Sequence, residues 1–69
     1  KYKADFIKYL VYSHAECDET ILHLDFLFET GSLTDKEKYN SLRKEYEILS
    51  SKINKFIKYV EDNWNNTGQ

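Results

Sequence analysis

Cysteine occurs once in the 69 residues, methionine and proline not at all, and neither sign of charge predominates. Cys17 alone cannot close an internal disulfide, and its place in a helical apolar pattern suits a small packed hydrophobe better than a reactive thiol. Acidic and basic residues are interspersed and sum to a formal charge of -2, so composition makes no case for nucleic acid or an anionic membrane as an obligatory partner. No apolar run approaches the length of a membrane span and no signal segment is visible, which predicts a cytoplasmic protein with no membrane partner. The missing methionine and the abrupt charged start suggest that Lys1 is not a natural amino terminus. A phosphate-binding glycine loop, a nucleophile elbow and a paired zinc-ligand motif are absent as well. These absences predict a protein that is not an enzyme and that uses no cofactor and no metal.

What is present is helical periodicity. Tyr39, Leu42, Tyr46, Leu49, Ile53, Phe56 and Val60 recur at alternating steps of three and four, an apolar seam along one helix running from about Asp35 to Asn63. Ile48 and Ile57 lie beside this seam as a second, less continuous surface. A first helix runs from about Ala4 to Thr30, with Phe6, Leu10, Cys17, Ile21, Leu24 and Phe28 on one face. Ile7, Val11, Ala15, Leu22 and Leu27 widen that face beyond a strict coiled-coil stripe, so it calls for more than one neighbour. Tyr2, Tyr9 and Tyr12 add aromatic surface suited to the border between core and solvent or to a subunit contact.

Thr30 to Thr34 is the only strong punctuation. Gly31 can take the left-handed conformation that ends a helix, and the Thr34 to Glu37 spacing is that of a capping box. The stop and the start lie close together, so the helices should turn back on each other. Leu33 is expected to tuck into the end of the resulting structure. At this length a large private core is difficult to build, and self-association or a missing part of the same protein is the expected remedy.

Polar candidates are few. Glu16, Glu19 and His23 are separated by three and four residues and fall roughly along one side of the first helix, with His14 and Asp18 a separate pair. A polar interface or a surface pair is the plain reading of that set. Metal binding is the sharper one, since carboxylates and imidazole on opposed helices can hold a transition metal. Asp18, Glu19 and Asp25 could carry protons, but nothing in the sequence places them in a pocket. Lys36, Lys38, Arg43, Lys44, Lys52, Lys55 and Lys58 mostly read as a solvated face. Lys52, Lys55 and Lys58 could nonetheless touch phosphates, and Tyr59 or Trp64 could stack on a base. After Trp64 the tail from Asn65 to Gln69 has no reason to stay helical.

The stretch from Ala4 to Leu10, then Ala15 to Thr20, His23 to Leu27 and the Gly31, Ser32, Leu33, Thr34 turn together resemble the carboxy-terminal half of a known bacterial family. It is the four-helix-bundle family named after proteins encoded in intervening sequences of the 23S ribosomal RNA gene. The resemblance covers about Ala4 to Val60 and carries helix-packing and turn signals. It implies an all-α fold in which residues 1–69 form a single partial domain, an antiparallel helical hairpin that is half of an up-down four-helix bundle. It also implies two preceding helices, including a small-residue and proline-containing segment that this sequence does not contain. Relatives include accessory proteins of diversity-generating retroelements, which form ring-like pentamers and contact reverse transcriptase and nucleic acid. Most members have no established biochemical activity. The combined expectation is a non-enzymatic assembly protein that self-associates, with a pentamer as one form, and with an RNA- or DNA-associated accessory role as the alternative.

Overall fold

The computed structural model describes residues 2–63; Lys1, Trp64 and the 65–69 tail lie outside the described residues, and with them the stacking role considered for Trp64. Two helices of equal length, α1 (Tyr2–Glu29) and α2 (Lys36–Asn63), form an antiparallel hairpin. Contacts run from end to end. Phe28 stacks on Tyr39 beside the turn, with ring centroids 4.2 Å apart. Phe6 meets Phe56 edge to face at 6.0 Å towards the open end, where the Lys3 Nζ also donates to the Glu61 carbonyl at 3.2 Å.

The turn follows from local chemistry. Gly31 sits at φ +83°, in the left-handed region where a side chain would be strained. The chain folds around it so that the Leu33 N–H donates to the Leu27 carbonyl at 2.9 Å, which satisfies one of the orphan acceptors at the end of α1. Leu33 is half-buried there. The cap of α2 is Asp35, whose carboxylate accepts the Lys38 N–H at 3.0 Å. The expected cap, Thr34, stands one residue too early. Asp35 occupies the capping position and adds a negative charge at the positive end of the helix dipole.

The helices meet along two matched series. On α1 these are Lys3, Ile7, Leu10, His14, Cys17, Ile21, Leu24 and Phe28; on α2, Tyr39, Arg43, Tyr46, Ser50, Ile53, Ile57 and Val60, every one buried or half-buried. Both series alternate steps of four and three, so a 3.5-residue repeat keeps each helix turned towards the other along its length. Among the described residues only Leu10, Cys17 and Val60 form a buried apolar core, and no side chain is fully enclosed. The hairpin therefore uses a narrow strip of each helix. The broad face read on α1 is divided: Val11, Ala15, Leu22 and Leu27 turn away from α2 and are exposed.

Candidate assembly surface

The apolar seam read on α2 splits into two strips. Tyr39, Tyr46, Ile53 and Val60 face α1, whereas Leu42, Leu49 and Phe56, spaced seven apart, run along its flank. Leu49 and Phe56 each keep 44% of their surface exposed. The positions that complete the contact with α1 are Arg43, Ser50 and Ile57. Two of these are polar, which is why apolar periodicity passed over them in favour of their neighbours. Arg43, read as part of a solvated face, is instead half-buried between the helices.

Arg43 anchors a cluster of polar side chains that joins the two helices. Its guanidinium grips Asp25 with both prongs, Nε to Oδ1 at 2.8 Å and Nη2 to Oδ2 at 3.0 Å, a fork geometry that a lysine could not reproduce. The Tyr39 hydroxyl donates to the same Oδ1 at 2.5 Å, and Glu47 pairs with the Arg43 Nη1 from one turn further along α2. The hydrogen bonds from Arg43 and then Tyr39 hold the Asp25 carboxyl at about 2, below its ordinary value of 3.8. The same bond to Asp25 pushes the Tyr39 phenol up and keeps Arg43 firmly charged. Two turns away the Ser50 hydroxyl donates to Asp18 Oδ1 at 3.0 Å, while His14 Nδ1 lies 3.6 Å from the other Asp18 oxygen. Asp18 and Asp25 are seven residues apart, so these contacts lie on one flank of the hairpin.

The opposite flank is different in kind. There Ser13, Glu16, Cys17 and Thr20 of α1 line a shallow groove with Tyr46, Leu49 and Ile53 of α2, so that one carboxylate stands among its small and apolar side chains. The edge-to-face pair of Phe6 and Phe56 closes one end of this side. Leu42, Leu49 and Phe56 form its α2 rim, and Tyr9 and Leu27 stand exposed along α1. Cys17, only 7% exposed, packs at the floor as a small hydrophobe. A separate apolar patch made by Val11, Leu22 and Phe26 lies on the outer surface of α1, with Leu22 65% exposed.

Glu16, Glu19 and His23 are all exposed on α1 and none bonds to α2 among the described residues. No group of three histidine, cysteine, aspartate or glutamate side chains among the described residues could hold a metal ion, so that set does not assemble a metal site. Lys52 and Lys55 line a depression on the outward face of α2 with Lys44, Glu47, Ile48 and Ser51. Lys58 is exposed one turn on. No helix of the described residues is long and apolar enough to cross a membrane. No protein-family model, no curated protein and no solved structure matches this chain.

Proposed function

We propose that this chain is a non-enzymatic assembly module, a hairpin that completes its core only when further helices cover its apolar side. The observation that carries this reading is the Leu42, Leu49 and Phe56 strip with its groove, which stays open although the opposite flank is closed by directional hydrogen bonds. Covering the part of Leu49 and Phe56 that stays exposed is worth about 1 kcal/mol each, at least as much as a single surface polar contact supplies. The covering helices come from other copies or from preceding helices of the same protein, as the resemblance to the intervening-sequence family implies. That resemblance also supplies the picture of an up-down four-helix bundle and of a pentameric ring. Sedimentation equilibrium tests the reading. A mass well above the 8.3 kDa of one chain is expected; a stable monomer with both helices formed would sink it.

A second reading, an RNA- or DNA-associated accessory role, is favoured by one observation: Lys44, Lys52 and Lys55 converge on a single depression of α2. Replacing Lys52, Lys55 and Lys58 with glutamine should then weaken binding to RNA or DNA and flatten its salt dependence. Binding that is absent across low to moderate salt would remove this reading without touching the first.

A further inference from the structure

Leu42, Leu49 and Phe56 are symmetric about Leu49, and the charges beside them follow the same symmetry. Lys38, Glu45, Lys52 and Tyr59 occupy the next strip of α2, again seven apart. Suppose a second α2 is laid antiparallel across a two-fold axis beside Leu49. At 1.5 Å of rise per residue, Leu42 then stands level with Phe56 of the second copy, and Glu45 level with Lys52 of the second copy, to within about one residue. Opposite charges therefore meet twice, once on each side of the axis. In the hairpin itself Glu45 and Lys52 make no hydrogen bond or ion pair among the described residues.

The first helix obeys the same axis without further adjustment. Cross-contacts such as Ser50 with Asp18 and Phe56 with Phe6 place the level of Leu49 beside Glu16 and Cys17 on α1. Around that level Ser13 stands opposite Thr20 of the second copy and Phe6 opposite Leu27 of the second copy. Small side chains thus meet at the shallow groove and large ones near its ends, the complementarity that close helix packing needs. The strip from Lys38 to Tyr59 spans about 32 Å of α2 at 1.5 Å of rise per residue.

We infer that the groove side of the hairpin is a homodimer interface, on which a second copy of this chain packs face to face about a two-fold axis at Leu49. This rests on the assembly reading and commits it to one partner and one register. The arrangement is isologous, so each residue meets its counterpart in both directions and the assembly closes at two. One like-charge contact is built in: Glu16 lies close to Glu16 of the second copy across the axis, so the dimer forms against a repulsion that Glu16→Gln would relieve.

Charge exchange reads the register directly. The 69-residue chain is compared by sedimentation equilibrium with Glu45→Lys, Lys52→Glu and the double exchange. Each single exchange places like charges together twice and should weaken the dimer about tenfold at low salt, an effect that shrinks as salt rises. The double exchange restores opposite pairing and should return the dissociation constant to within about threefold of the original. Since both positions are exposed, a folding defect would appear in all three variants and would not be rescued. An assembly larger than a dimer, or one indifferent to the exchanges, overturns this interface and leaves the assembly reading standing; a fully helical monomer overturns both.

Discussion

The two flanks of this hairpin are built from opposite materials. One is held by Asp25, Arg43 and Tyr39 and by Asp18 with Ser50, groups that have a partner inside the chain and need none outside it. The other carries Leu42, Leu49 and Phe56 along a groove floored by small side chains, and nothing in the described residues covers it. Directional hydrogen bonds fix how the helices slide relative to each other, whereas apolar surface rewards burial by any shape that fits. On the assembly reading proposed above, the polar flank sets the register of the hairpin and the apolar flank recruits what completes it.

Substitutions can break this division in order of size. Leu10→Ala strikes the strip shared by both flanks, removing a buried apolar side chain at about 2–5 kcal/mol. Most of the helical signal should be lost at room temperature in circular dichroism, with association lost alongside it. Leu49→Ser acts on the apolar flank, where Leu49 keeps 44% of its surface exposed. It should weaken association by about 1 kcal/mol, seen as a shift of sedimentation towards the monomer. An assembled mass unchanged by the substitution would mean that the apolar flank takes no part in association.

Arg43→Met should do the reverse, leaving Asp25 without its strongest partner, lowering the melting temperature and preserving the assembled mass. Asp25 should then titrate closer to an ordinary carboxyl, a change visible in its side-chain carbon resonance. The smallest effect is the acid limb of stability. Because Asp25 is held at about 2 against an ordinary 3.8, the folded state binds this proton more weakly than the unfolded chain. Its contribution is complete above about pH 4 and disappears as pH falls through about 2, so the melting temperature should drop over that window. Arg43→Met should remove this part of the slope. A slope unchanged by the substitution would mean that other carboxylates set it.

The hairpin was legible in the sequence because helix periodicity and the glycine turn are local properties, carried by residues such as Gly31 and the repeated aromatics of α2. The split of the seam was not. Leu42 and Arg43 are neighbours in sequence, about 100° apart around the helix, and the apolar one looks like the inward residue when identity alone is used. The structure turns Arg43 inward because Asp25 waits opposite, a pairing of residues 18 positions apart that no local pattern encodes. Likewise the cap passed from Thr34 to Asp35 through a shift of one residue, a distance at which spacing rules do not discriminate. Glu16, Glu19 and His23 share a helix side as their spacing suggests, yet α2 brings no ligand to them, so their chemistry depends on whatever meets that side from outside.

The central claim is that the apolar flank is finished by association. It is tested most directly by following the helical signal at 222 nm and the sedimentation mass of the same samples over a dilution series. The account predicts that both fall together as the chain dissociates, because the narrow strip between α1 and α2 is too small a core to hold the helices unaided. Helicity that stays constant while the mass drops to that of one chain would contradict it, showing that the hairpin is complete by itself and that its open flank is ordinary surface.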